Sequence, residues 1–499
     1  MRWASSSSVS WLARQASARP GTVAVRAGGK SLTYAGLAER AARGAAALAA
    51  AGVEAGERVA VRMPNRLEHA VAIHAVTWRG AVLVPIHARS SFAEAAGLLE
   101  DSGARLLVAA ADDPLAGSEL PCAVFPAERL AEGAGTEPPS RPARARALEP
   151  APQPDAAPHS ILYTSGTTGR PRPVPLTHGN HRASAEASAA NLGVKPGDDW
   201  LCPLPLAHVG GLAVVLRAVL QGTCVTLIEG FDPEELARHL RSGAVTHASL
   251  VPTMLRRLLE ACPGEAPLGS PRLRAVLLGG GPIDPEAVEL ALARGLPVLG
   301  TYGMTETASQ VATVPPGAAA RKPGSAGPPL PGAELELRDA AGRALPPGET
   351  GEIHVRGPMV SAAAVRARPD AGGWLATGDL GRFDPEGWLW VEGRRDGVIV
   401  TGGENVSAAE VEAVLRAHPV VADCAVVGLP DPEWGEVVAA AVVPRGPDAP
   451  PATEALAAWC RERLAPFKVP KRWRIVEELP RTHAGKVARS DLLGLLGER

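Results

Sequence analysis

Residues 163–180, YTSGTTGRPRPVPLTHGN, crowd hydroxyls, glycines and two arginines into one short window. Consecutive small residues can turn several backbone N–H groups inward, and the hydroxyls of Thr164, Ser165, Thr167 and Thr168 add further donors, a combination that suits phosphate oxygens. Arg170 and Arg172 can supply positive charge. The window is not the common G-x-x-x-x-G-K-[ST] phosphate loop, because GTTGRPR does not fit its pattern. A Ser/Thr/Gly cluster is also the ordinary composition of a turn, so taken alone this window leaves both a phosphate loop and a plain polar turn open.

Later windows carry related chemistry. TYGMTE (301–306) follows the apolar run LPVLG, TGDL (377–380) ends a β-like stretch, and GRRDG (393–397) and RTHAGK (481–486) come after it. Singly each has a bland reading: Asp379 is a turn residue and Lys486 a solvated loop lysine. The GGG at 279–281, after the strand-like RAVLL, lets backbone approach a flat ring closely where a Cβ would hold it off. Arg217 interrupts an otherwise apolar helical run, VGGLAVVLRAVLQ. Burying an unpaired guanidinium costs several kcal/mol, so Arg217 either reaches water along its own stem or meets an anion.

The elements that must position these residues alternate along the chain. TYAGLAERAARGAAALAAAG predicts a helix closed by glycine and RVAVRM a strand, and FAEAAGLLEDSG with RLLVAA repeats the pair. Such alternation predicts an α/β architecture with largely parallel, buried strands. Residues 131–160, rich in Pro and Ala, read as a solvated connector leading to the strand ILYTSGTTG. A second change falls near residue 395, after which SAAEVEAVLRAHP, VADCAVVGLP, EVVAAAVVP and TEALAAWCRERLA make an α+β set the size of a small domain. The expected division is therefore 1–395 and 396–499, with GRRDGVIV as the junction.

Bulk numbers narrow the partners. At 499 residues the chain exceeds one ordinary core. Its 51 basic and 53 acidic residues leave no electrostatic footprint for nucleic acid or an anionic membrane, which points to small-molecule partners. The six cysteines are scattered without a C-x-x-C pair, reading as buried, reduced thiols of a cytoplasmic protein rather than a zinc site or disulfide framework. The N-terminus lacks the apolar core of a signal peptide. GGLAVVLRAVLQGTCVTLI is too broken by Arg217 and Gln221 to read as an integral membrane segment. A homodimer is compatible with the sequence.

In their order and separations these windows resemble the adenylate-forming superfamily of acyl-CoA synthetases, firefly luciferase and peptide-synthetase adenylation domains. The resemblance runs from LTYAGL (32–37) to Lys486. It implies a large N-terminal domain of layered sheets and helices, a small mobile C-terminal domain, and ATP-dependent activation of a carboxylic acid followed by transfer to CoA, with Mg²⁺ as the metal. Carried over by position, it implies that Thr164, Ser165, Gly166, Thr167, Thr168 and Gly169, with Arg172, cradle the β- and γ-phosphates. Thr305 would contact the α-phosphate and Glu306 would ligate Mg²⁺. Gly279, Gly280, Gly281 and Tyr302 would face adenine, and Asp379 and Arg394 the ribose. Lys486 corresponds to the catalytic lysine that bridges carboxylate and α-phosphate. Asp396 corresponds to the hinge, and Gly402 and Gly403, in TGGEN, to the CoA passage. The loop departs from the usual S-G-T-T-G-x-P-K-G at Arg172 and Pro173. Proline fixes φ and removes an N–H, so altered phosphate handling or loop closure is expected.

A closer likeness concerns the acid. PLPLAHVGGL…R…G with GGGPID…GLPVLGTYGMTETASQ resembles the o-succinylbenzoate–CoA ligases of menaquinone synthesis, whose substrate has two carboxylates. This implies that Arg217 meets the carboxylate that is not activated, and that His208, Gly303 and Ser309 line the acid, His208 also acting at the reaction centre. The alternatives are a ligase for another fatty or aryl acid and an adenylation protein that loads an acyl carrier protein.

Overall fold

Strands such as VLVPI (Val82–Ile86), LLVA (Leu106–Ala109) and AVLL (Ala275–Leu278) are buried along their whole length, as strands covered on both faces must be. They belong to two sheets of a computed structural model that describes residues 9–90, 92–132, 148–164, 171–367, 372–394, 398–401, 404–431, 434–446, 452–464, 466–482 and 486–497. One sheet has six strands in the order Ala123–Pro126, Leu106–Ala109, Arg58–Arg62, Val82–Ile86, Pro158–Thr164 and Arg172–Thr177. The other has eight, in the order Ser309–Thr313, Val298–Met304, Ala275–Leu278, His247–Leu250, Asp199–Cys202, Cys224–Leu227, Val23–Ala27 and Lys30–Thr33. Both are parallel inside; the eight-stranded sheet ends in an antiparallel hairpin at each edge and the six-stranded sheet at one.

Local chemistry sets the helices between them. Thr33 caps the helix Tyr34–Ala50 by accepting from Gly36 N at 3.1 Å. Thr177 and Asn180 form a reciprocal capping box on His178–Leu192, which Gly193 ends at φ 62°. The helix Val209–Gln221 ends likewise at Gly222, φ 73°. Among the described residues, no helix is long and apolar enough to cross a membrane.

The described part of the expected connector departs from the solvated reading. Leu148 O accepts from Trp78 Nε1 at 2.6 Å, Ala151 N donates to Trp78 O at 2.9 Å, and buried Gln153 accepts from Trp11 N at 3.1 Å. Its irregular backbone is held by long-range partners that composition does not reveal. Of the cysteines, Cys202, Cys224, Cys424 and Cys460 are buried and Cys122 and Cys262 half-buried, all with free thiols.

By its internal contacts the chain divides into one unit of residues 1–335 and 355–376 and a second of 336–354 and 377–499. In the second, the long antiparallel pair Val421–Asp431 and Gly435–Pro444 makes the period-2 rule visible. Cys424, Val426, Val438, Ala440 and Val442 pack with the helices Ala408–Arg416 and Thr453–Arg461. Ala425, Val427, Val437, Ala439 and Ala441 face the other way, with Leu492 and Leu496 of the helix Arg489–Gly497.

Candidate active site

The hydroxyl-rich window emerges as a hairpin. Strand Pro158–Thr164 pairs antiparallel with Arg172–Thr177, and Thr164 lies opposite Arg172 in the ladder. Ser165, Gly166, Thr167, Thr168 and Gly169 lie outside the described residues. Pro173 sits on the sheet's edge strand, where a missing N–H is tolerated. The proline that departs from the usual loop is thus accommodated by the strand that receives it.

Strand Val298–Met304 delivers the second window. Gly303 is required by packing, because a Cβ there would overlap the Ser309 carbonyl oxygen. The ladder slips at Tyr302/Gly303, and the backbone then turns through Thr305–Thr307 into left-handed Ala308 (φ 50°) and Ser309 (φ 108°). Two consecutive non-glycine residues at positive φ hold a strained turn. The Thr307 hydroxyl secures it, accepting from Met304 N at 3.0 Å and donating to Ser309 O at 2.7 Å. Tyr302 is buried, with 8% of its surface exposed. Gly279 approaches Thr301 so closely that a Cβ would stand 2.8 Å from its carbonyl oxygen, and Gly280 takes φ +80°.

Ser361, which sequence reasoning missed, ties these two windows together. Its N–H donates to Glu306 O at 2.8 Å and its hydroxyl to Pro175 O, on the strand leaving the loop, at 2.6 Å. Asn180 braces the same segment by donating to Pro358 O and Val360 O. The Glu306 carboxylate is half-buried. No group of three or more His, Cys, Asp or Glu suited to a metal is present among the described residues; Glu306 offers a single carboxylate, which substrate phosphate oxygens could complement. That donor set fits a hard ion on phosphate oxygens.

Arg217 is buried, with 3% of its surface exposed. Among the described residues, its Nε and Nη2 have no hydrogen-bond partner. Its guanidinium lies 5.7 Å from the Trp200 ring centroid, and Trp200 is fixed by His247 stacked on it at 4.8 Å and by Ser249 Oγ, which accepts from its Nε1 at 2.9 Å. Desolvation pushes the Arg217 pKa down to about 10, so the group remains cationic near neutrality. Nearby histidines are held neutral. Burial lowers His181 to about 3, with His178 and Arg217 adding to the shift, and burial also lowers His178 to about 4 and His159 well below its usual value. Among the described residues, this cation is given an aromatic face and no ion pair.

His208 occupies the N-cap position of the helix that carries Arg217, without a side-chain capping bond, and its ring lies 5.4 Å from that of His87. Asn65 clamps the preceding turn, donating to Leu204 O at 2.9 Å and accepting from Leu206 N at 3.2 Å. Gly211 permits this turn, since a Cβ would stand 2.7 Å from Leu204 O. No sequence signal pointed to His87 or Asn65, which lie far away along the chain.

In the second unit, Asp379 and Arg394 are direct partners in the antiparallel ladder between Leu375–Phe383 and Leu389–Arg394. Thr377 Oγ1 accepts from Asp379 N at 3.0 Å and donates to Ile353 O at 2.8 Å, fixing the turn. Asp396, Gly402 and Gly403 lie outside the described residues. Lys486 is exposed on a hairpin closed by an Arg481–Val487 bridge and by Thr482 N donating to Lys486 O at 2.7 Å.

Two family models match the chain: AMP-binding enzyme over residues 12–363, and AMP-binding enzyme C-terminal domain over 410–486. A 2-succinylbenzoate–CoA ligase of Geobacillus kaustophilus is 42% identical, with 97% of each chain covered. Among solved structures, o-succinylbenzoate CoA synthetase (MenE) of Bacillus subtilis in complex with the acyl-adenylate intermediate OSB-AMP is similar with a TM-score of 0.88 at 36% identity, covering 97% of each chain. The same enzyme with ATP and magnesium ion gives 0.87 at 35% identity, covering 98% of this chain and 99% of that one.

Proposed function

The chain belongs to the family of AMP-binding enzymes, and on that premise we propose that it converts 2-succinylbenzoate, ATP and CoA to 2-succinylbenzoyl-CoA, AMP and diphosphate, a step of menaquinone synthesis. A carboxylate oxygen attacks the α-phosphorus, forming the acyl-phosphate bond as the α–β bond breaks and diphosphate leaves. The CoA thiol then attacks the acyl carbon and AMP departs. The first step brings anions together, so donors and cations must meet the charge that develops.

Thr164, the hydroxyls and amides of 165–169 and Arg172 receive the β- and γ-phosphates, and Thr305 the α-phosphate. Glu306 would hold Mg²⁺, which neutralises phosphate charge. Gly279, Gly280, Gly281 and Tyr302 bind adenine, and Asp379 and Arg394 the ribose hydroxyls. Lys486 bridges the incoming carboxylate and the α-phosphate. Rotation of residues 396–499 about Asp396 then replaces Lys486 by the face with Gly402 and Gly403, where pantetheine enters. The free thiols support a cytoplasmic location.

One observation carries the choice of acid: Arg217 is buried and cationic, with two nitrogens unpartnered. A buried charge calls for a counter-charge, and an acid with a second carboxylate brings one. His208, Gly303 and Ser309 line the rest of the acid. The test is a panel of aryl, fatty and dicarboxylic acids with ATP, Mg²⁺ and CoA, following diphosphate release and acyl-CoA mass. Preferential turnover of 2-succinylbenzoate is expected. Equal turnover of monocarboxylic acids, with Arg217→Ala harmless, would leave a ligase but remove this substrate.

A further inference from the structure

The hairpin that presents Lys486 is tethered twice. Its stem is apolar, with Leu479 and Val487 packed against Ala425, Val427 and Leu492. Its polar side is an ion pair between Arg481 and Asp423. Asp423 stands where the Val421–Asp431 ladder slips, between Val421 and Asp423. Such bulges re-aim a side chain.

From Asp423 the contacts run into the small domain's frame. Asp423 Oδ1 accepts from Cys424 N at 2.9 Å and lies 3.6 Å from Arg416 Nε. Arg416 Nη2 pairs with Glu412 at 3.0 Å and donates to Cys424 O at 3.2 Å, and Glu412 accepts from Val426 N at 3.0 Å. Helix and strand thus hold a carboxylate whose second oxygen takes the hairpin's arginine. We propose that Asp423 is a positioning residue: by fixing Arg481 it sets the reach of Lys486 and so serves the adenylation half-reaction, not thioester formation.

The separation follows from geometry. A partly exposed ion pair adds little to stability, but a reacting group displaced by about 1 Å can lose about a hundredfold in rate. The inference rests on the reading that Lys486 works in the first half-reaction, and both can be tested on the full chain. Diphosphate release from ATP and acid is measured without CoA, and CoA is separately reacted with supplied acyl-adenylate. For Asp423→Asn, the kcat of the first reaction should fall about tenfold or more while the second stays within about twofold. Arg481→Gln, which leaves Asp423 beside Arg416, should give the same split, and Arg481→Lys, which keeps a cation facing Asp423, should retain much of the first reaction.

Equal losses in both half-reactions, or no loss in either, would overturn the proposal. If Asp423→Asn fails to fold by circular dichroism, Arg481→Gln decides by the same criterion. Lys486→Ala separates the two readings. If it leaves diphosphate release intact, the role of Lys486 is wrong. If it abolishes release while Asp423→Asn and Arg481→Gln do not slow it, only the tether is wrong.

Discussion

The chain places two cations in opposite settings. Arg217 lies within an apolar helix, against Trp200 and near neutral histidines, with two nitrogens unpartnered. Lys486 is exposed on a hairpin braced through the neighbouring Arg481. A buried cation that meets no anion among the described residues is left to pair with its ligand, and the fold bears the desolvation cost. An exposed lysine bears no such cost, and its precision must come from the backbone that carries it. The first arrangement suits recognition of a fixed acid, the second a group that is brought in and withdrawn.

Acid should separate these regions most strongly. His69, His74, His178 and His247 have pKa values lowered to about 4 by burial, and His181 to about 3. Burial lowers the folded values, so the unfolded chain binds more protons. The stability these neutral imidazoles contribute is complete above pH 6.5 and is lost as pH falls from there toward 4. For one such group the loss is about 1.4 kcal/mol per pH unit between its unfolded and folded pKa, so the burial of several favours opening of the unit that holds them. Among the described residues the second unit buries one histidine, His354, against six in the first. Hydrogen exchange between pH 7 and 4.5 should therefore show the first unit opening before the second, and the reverse order would break the contrast.

Lys486→Ala should slow diphosphate release by about a thousandfold or more and leave the melting temperature unchanged, because the side chain is exposed. A large loss of stability would mean that Lys486 is structural. Arg217→Met should raise KM for the dicarboxylic acid by about a hundredfold with KM for ATP unchanged. It should also preserve or raise thermal stability, since an apolar group replaces a charge that has no counter-ion among the described residues. A lower melting temperature with unchanged KM would show that Arg217 serves the core. Ser249→Ala, which removes the acceptor for Trp200 Nε1, should cost about 1–3 kcal/mol of stability and raise the dicarboxylate KM only slightly. Calorimetry with steady-state kinetics checks both, and no change in either would show that the Trp200 face is held without Ser249.

Much of the fold was legible because its signals are local. Helical periodicity, buried β-branched runs and terminal glycines marked Tyr34–Ala50, Arg58–Arg62, Val421–Asp431 and Thr453–Arg461 near their observed limits. The order of TSGTTG, TYGMTE, TGDL and RTHAGK pointed to adenylate chemistry only through its resemblance to a known family, since each window singly reads as a turn or a solvated loop. Composition could not decide Arg217: an arginine in an apolar helix can reach water or stay buried, and only the packing of Trp200 and the surrounding helices closed the first route. It also missed Ser361, the pinning of residues 148–153, Asn65, which meets Leu204 across 139 positions, and Asp423, which meets Arg481 across 58. The sequence by itself determined which chemical groups are present and the short-range geometry in which each begins. Which of them share a turn, lose their water or lean on a distant carboxylate was decided only by the tertiary structure, because desolvation and long-range hydrogen bonding exist only once remote segments are packed together.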